Sequence, residues 1–259
     1  MKLKCALIVI TFLFSCSMLE AAKLKLGGTE WSPYIGSELK KHGIAAEVVS
    51  QIFRRAGHEV EFVFLPWIRT QRLVKTGELD GLAIAWFTEE RAKTMVYSIP
   101  YINTAIVLIK RKDDPFVYNQ IKDLEGKNIG VIRGYGYLKK IESEKIQKSV
   151  VKSLHQNLLK LAKGRIDLTM EEKLNAEKTI ASMSEDIQNS ITLIENPFEV
   201  KELHITLSKS TPNHKALLDD FNTVLISMVN DGSYQQMLDN LSPSPLSINQ
   251  SKITELKKK

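Results

Sequence analysis

Residues of distinctive chemistry gather in three short stretches, each directly after an apolar run: Thr29-Glu30-Trp31-Ser32-Pro33-Tyr34, Phe87-Thr88-Glu89-Glu90-Arg91 and Gly134-Tyr135-Gly136-Tyr137. The three tryptophans of the chain, Trp31, Trp67 and Trp86, stand at loop starts or at the ends of apolar runs. A single tryptophan there is ordinary core. Three suggest an aromatic pocket, and for each of them core and pocket both stay open. Thr88 suits a helix N-cap, with Glu89 and Glu90 favourable in the first turn. Arg91 in that turn opposes the helix dipole at a cost of about a few tenths of a kcal/mol. Either it pairs with a neighbouring Glu on the surface, which contributes little, or its fork of donors meets a carboxylate beside the helix N–H groups.

Gly134-Tyr135-Gly136 follows a β-prone run, so its backbone N–H groups can cradle an anion or simply turn the chain. It is not a dinucleotide fingerprint, because Lys139 stands where the third glycine would be. Glu171-Glu172 is a carboxylate pair after a strand-like run, a pattern that is ordinarily solvated. No metal site is expected: His42, His58, His155, His204 and His214 are scattered without ligand spacing. Neither a G-x-S-x-G elbow nor a phosphate-binding loop occurs, and no cofactor is implied.

The elements that must carry these stretches alternate. Residues 23–26 (KLKL) read as a strand, 44–56 as a helix stopped by Gly57, 60–65 as a strand broken by Pro66, 67–76 as a helix closed by Gly77, and 82–86 as a strand. Residues 102–110 form a longer β-prone stretch. A second series follows: strand 128–132, a glycine turn, a basic helix whose solvated face is 138–152, helix 156–163, strand 165–170, strand 203–207, and helices 215–230 and 234–240. This alternation predicts an α/β fold of two lobes, and in open α/β sheets ligands bind beyond the carboxyl ends of the strands.

Composition agrees with a folded domain pair. The chain has 259 residues, 43% hydrophobic and 25% charged, which excludes disordered, collagenous and polytopic membrane classes. Its net charge of +6 is spread along the chain and mixed with acids, so no nucleic-acid module is indicated. Both cysteines, Cys5 and Cys16, lie in the first sixteen residues. A short basic start and the run CALIVITFLF predict a signal peptide over residues 1–22, and hence export to the periplasm. A lipoprotein anchor at Cys16 is the less favoured alternative. The Ser- and Pro-rich tail, 242–259, is expected to be flexible.

Together these motifs resemble the bacterial extracellular solute-binding proteins of family 3, the periplasmic receptors for polar amino acids of ABC uptake systems. The resemblance runs from Leu24 to about Leu241. It rests on Leu79-Asp80-Gly81, Thr88-Glu89-Glu90-Arg91, Tyr97-Ser98-Ile99-Pro100-Tyr101, Lys163-Gly164-Arg165-Ile166-Asp167 and Asp231-Gly232-Ser233-Tyr234.

The resemblance implies a discontinuous first lobe (23–106 plus 206–241), a second lobe (107–205), two crossing strands as a hinge, and a ligand clamped between the lobes. Arg91, aided by Thr88, would hold a ligand carboxylate, and Gly134-Tyr135 would meet it from the second lobe. Trp31 and Trp67 would wall the ligand, and Glu172 would take its amino group. This chain departs from the family pattern at Trp86, where relatives carry a small hydroxyl residue, at Tyr135, where they carry Thr or Ser, and at Glu172, where they carry Asp. The expected function is capture of an amino-acid-like or carboxylate solute by a monomer that serves an inner-membrane ABC permease, without enzymatic activity. The alternatives are an enzyme of the cyclohexadienyl dehydratase type on the same fold, or a sensory lobe that docks on a membrane receptor.

Overall fold

The computed structural model describes residues 22–142, 145–242 and 245–248. The expected leader, apart from Ala22, and the lipidation alternative at Cys16 lie outside the described residues. Strand β1 (Lys23–Gly28) pairs in parallel with β2 (Glu59–Phe64) and β3 (Gly81–Trp86). Helices α1 (Ile44–Arg55) and α2 (Trp67–Thr76) make the crossovers. Every residue of β3 is buried, as expected of a parallel strand covered on both faces. A short helix α3 (Glu89–Ala92) and strand β4 (Met95–Tyr97) lead into the ten-residue β5 (Ile102–Arg111).

A second parallel set follows: β6 (Asn128–Ile132), β7 (Gln147–Val151), helix α4 (Leu154–Ala162) and β8 (Leu168–Glu172). Helices α5 (Lys173–Ala181) and α6 (Glu185–Ser190) and strand β9 (Ile191–Leu193) return the chain to β10 (Glu199–Ser208). Helices α7 (His214–Asn230) and α8 (Ser233–Leu241) complete the order.

The strands run β2-β1-β3-β10-β5-β8-β6-β7, with β4 against β10 and β9 against β5. The two long strands divide their pairing. β5 joins β10 through Ile102 to Ile106 and β8 through Ile106 to Lys110, while β10 joins β3 through Leu203 to Leu207. Two parallel sets are thus coupled by one central antiparallel pair, which is the two-lobed α/β arrangement expected.

Several motif residues work as staples of this frame. Asp80 accepts the Lys25 N–H (2.8 Å), and its backbone carbonyl accepts the Thr211 hydroxyl. At Gly81 an added Cβ would stand 1.8 Å from the Thr206 carbonyl oxygen, so only glycine permits the β3–β10 approach. The Tyr101 hydroxyl donates to the Ala83 carbonyl, and the Ser98 hydroxyl accepts the Ile205 N–H. Asp167 accepts the Asn128 N–H at 2.8 Å.

Three expectations are corrected here. Residues 138–152 are not a basic helix: they hold a one-turn 3₁₀ helix (Leu138–Ile141) and strand β7. Ser149-Val150-Val151 favours the extended form, and as the edge strand β7 tolerates exposed lysines. Strand β8 starts and ends later than the expected 165–170, so Glu171 and Glu172 close the strand rather than follow it. Within the tail, Asn103 N–H donates to the Ser247 carbonyl (2.8 Å) and Leu246 and Ile248 are buried in the main core, so residues 245–248 pack against the start of β5.

Candidate functional site

The carboxyl ends of β1, β3, β6 and β8 converge between the two parallel sets. After β1 the chain folds back on itself, with reciprocal backbone bonds between Trp31 and Ile35 (2.8 and 3.1 Å), and the Tyr34 ring stacks on Trp31 at 4.8 Å. Pro66 opens α2 so that Trp67 stands at its first position. Trp86 ends β3, and its ring lies edge-on to both Trp31 (5.6 Å) and Tyr135 (5.5 Å). Thr88 caps α3, accepting the Arg91 N–H at 3.3 Å.

Arg91 is not a surface residue paired with a neighbouring Glu. It is 7% exposed, while Glu90 pairs with Lys93 instead. Its Nε donates to Gln71 Oε1 (2.9 Å), one Nη to the Trp86 carbonyl (2.7 Å) and the other to the Gly134 carbonyl (2.8 Å). The guanidinium carbon stands 5.0 Å from the Trp67 ring centre, a cation–π distance. The Trp67 indole also donates to the Gly134 carbonyl (3.0 Å). One carbonyl after β6 therefore ties α2 and α3 to the opposite strand set. Its glycine sits at φ +78°, and a Cβ there would come within 2.5 Å of Ile68 Cδ1.

Trp31, Trp67, Trp86, Arg91 and Tyr135 line one cavity of about 30 Å³ with Thr29, Ile84, Ala85, Gly136 and Leu203. Thr88 touches this wall through Gly136: a Cβ there would meet Thr88 Cγ2 at 3.2 Å. Gly134 is not in the lining either, but joins the wall through the carbonyl that Trp67 and Arg91 share. Glu172 is neither in the lining nor bonded to a lining side chain. It caps α5, accepting the Asn175 N–H at 2.9 Å, and accepts the Tyr34 hydroxyl at 3.1 Å. The acid nearer the aromatic cluster is Glu171, whose Oε1 accepts the Trp31 indole (3.1 Å) and the Glu172 N–H (2.9 Å). Its Oε2 is buried with no hydrogen-bond partner. Period-two alternation along β8 separates the two acids onto opposite faces, the signal that distinguishes Glu171 once the strand's true end is known.

Burial governs the electrostatics. It pushes the Glu171 carboxyl up to about 8 and that of Glu172 up to about 7, against the lowering effect of the N–H and O–H donors just named. Burial, and after it the charge of Glu171, raises the Tyr135 and Tyr137 phenols. Burial thus favours the uncharged form of both acids beside Trp31 and Tyr34. Arg91 is the sole ionisable cation on the described cavity wall, with three of its five N–H donors committed. Such a wall suits a flat or apolar body with an anionic end. Among the described residues no group of metal ligands occurs, and no helix is long and apolar enough to cross a membrane.

The model of the bacterial extracellular solute-binding proteins, family 3, matches residues 29–241. The chain belongs to this family. It is 25% identical to the ABC transporter arginine-binding protein 1 of Escherichia coli (strain K12), over 93% of this chain and 99% of that protein. Its fold is similar to that of an ancestral arginine-binding protein bound to arginine, with a TM-score of 0.70 at 21% identity over 85% of this chain and 97% of that one. It is also similar in fold to a histidine kinase sensor domain with similarity to periplasmic binding proteins, with a TM-score of 0.73 at 19% identity over 86% and 96%. Trp86 and Tyr135, both in the cavity lining, meet edge-on at 5.5 Å.

Proposed function

We propose that this chain is a monomeric periplasmic receptor that captures a small carboxylate, amino-acid-like solute between its lobes and delivers it to an inner-membrane ABC permease. The observation that carries the reading is Arg91: a buried guanidinium on the wall of an aromatic cavity, bonded to Gly134 across the gap between the two strand sets. In this reading the first lobe is 23–106 plus 206–241 and the second 107–205. Arg91, with Thr88 and the Gly134-Tyr135 turn, holds the carboxylate, and Trp31, Trp67 and Trp86 wall the body. Glu172 would take an amino group by rotating away from Tyr34.

A cavity of about 30 Å³ has room for roughly two waters, whereas small-molecule sites run about 300–1,000 Å³. The conformation described is therefore a closed one, and the solute enters only as the strand sets separate. The bonds from Trp31 to Glu171, Tyr34 to Glu172, Asn175 to the Ser32 carbonyl and Arg91 to Gly134 must yield in that opening. A solute then favours the wider arrangement that has room for it, by the difference in its affinity for the two states.

The test is a thermal-shift panel of amino acids, oligopeptides and small carboxylates on protein unfolded and refolded to strip carried ligand. A ligand at about a thousand times its Kd adds roughly 4 kcal/mol, and at about 2–4 °C per kcal/mol the shift is large. One strong hit among carboxylates is expected. A blank panel with turnover of prephenate or arogenate would replace this reading with the dehydratase one, although neither Glu171 nor Glu172 is among the residues lining the cavity.

A further inference from the structure

Basic residues that are dispersed in the sequence converge on one face of the fold. Where edge strand β7 lies beside α4, Arg133, Lys152, Lys160, Lys163 and Arg165 line an open cleft of about 500 Å³. They come from four places in the chain: the end of β6, the end of β7, the exposed face of α4 and the turn before β8. The remaining lining is neutral and includes Val150, which is 48% exposed. No acidic side chain lines the cleft. Other cations of the molecule find carboxylates, as Lys140 and Lys201 do with Glu199, but none of these five is in an ion pair among the described residues. Lys160 donates to the Ser149 hydroxyl. The cleft thus gathers five of the chain's 36 basic residues with no acid among its lining.

Like charges facing one space repel each other across distances that physiological salt does not fully screen, about 8 Å. An anion seated among them removes that repulsion. A single carboxylate would leave most of the charge uncompensated, so the matching ligand carries several negative charges on a small frame. Two guanidinium forks and three ammonium groups suit phosphate oxygens, which both cation types bind. The volume falls within the range of small-molecule sites. The cleft shares no lining residue with the Trp31–Arg91 cavity.

We propose that this cleft is a second binding site, for a phosphate-bearing polyanion. Clustered phosphates of this kind occur in soluble oligophosphates and at the surface of anionic phospholipid bilayers, where singly charged headgroups crowd together, and the experiment separates the two sources.

Calorimetric titration of the purified protein with sodium tripolyphosphate, at low and at moderate salt, is run beside co-sedimentation with phosphatidylglycerol vesicles. The Lys152→Glu, Arg165→Glu double variant changes two exposed residues of the cleft, and the Lys122→Glu, Lys215→Glu double variant, at exposed lysines before β6 and at the start of α7, controls for the same change in net charge. Unchanged Tm values establish that both variants fold. Saturable tripolyphosphate binding that weakens with salt, and weakens by at least about tenfold in the cleft variant but not in the control, is the expected result. The same pattern with vesicles alone supports the site with a lipid headgroup as its ligand. The proposal is overturned if neither probe binds, if the cleft variant binds as the wild type does, if the control loses as much, or if tetraglutamate binds as tightly as tripolyphosphate.

Discussion

Replacing Glu171 by Gln removes one titrating proton from the middle of the molecule while nearly preserving the side chain's shape. The group is 0% exposed, and burial holds its pKa at about 8, against an ordinary value of 4.5. Between those values the folded state keeps a proton that the unfolded state has released. Its contribution to stability is therefore full below about 4.5 and is lost as pH rises toward 8. For one group the slope is at most about 1.4 kcal/mol per pH unit, or on the order of 4 kcal/mol from pH 5 to pH 8. At about 2–4 °C per kcal/mol, wild-type Tm falls by roughly 10 °C on this account. Glu172, raised to about 7, adds its own fall in the lower part of the window. The Glu171→Gln variant keeps the oxygen that accepts the Trp31 indole and retains only the Glu172 part of the slope. Differential scanning fluorimetry in half-unit pH steps reads both proteins. Tm curves that run parallel from pH 5 to 8 would refute the reasoning; a gap that changes by several degrees in favour of the variant as pH rises supports it.

Arg91→Lys keeps the charge but loses the planar fork that reaches Gln71, Trp86 and Gly134, and urea denaturation should find it about 2–4 kcal/mol less stable. The same variant should bind the panel's carboxylate hit at least about tenfold more weakly by calorimetry. Gly134→Ala forces a side chain into φ +78° and against Ile68, moving the carbonyl that Trp67 and Arg91 share; a loss of about 1–3 kcal/mol is expected in the same denaturation assay. Thr88→Ala removes the cap of α3 and should cost about 1 kcal/mol, with a smaller effect on binding than Arg91→Lys.

The legible parts of the fold were those with strong local signals. Gly57 and Gly77 marked the ends of α1 and α2, and both take positive φ there. The β-branched run at 102–110 gave a strand too long for a single lobe, and β5 indeed pairs with both strand sets. Residues 138–152 misled because lysines every few positions imitate a solvated helix face, while the pairing of β7 with β6 is a tertiary fact that propensity does not contain. The site was legible to a similar depth. Seven of the eight candidates lie at or against one cavity, since strand ends and a cap fix them through local chemistry. Glu171 was read only as half of a carboxylate pair, because the family pattern gave the ligand role to Glu172 and the strand was expected to end before both. The diversion of Arg91 to backbone carbonyls has no sequence signal, because any residue offers a carbonyl. Motif residues such as Asp80, Ser98 and Asp167 turn out to hold strands together rather than to meet a ligand.

All three tryptophans of the chain line the one cavity, so intrinsic tryptophan emission reports on that place and no other. The decisive measurement is a fluorescence titration of ligand-stripped protein with the carboxylate that raises Tm most, run beside calorimetry. The account predicts a saturable change in tryptophan emission with the same Kd as the heat signal. Saturable heat without any change in tryptophan emission would mean that the solute binds elsewhere, and would contradict the central claim.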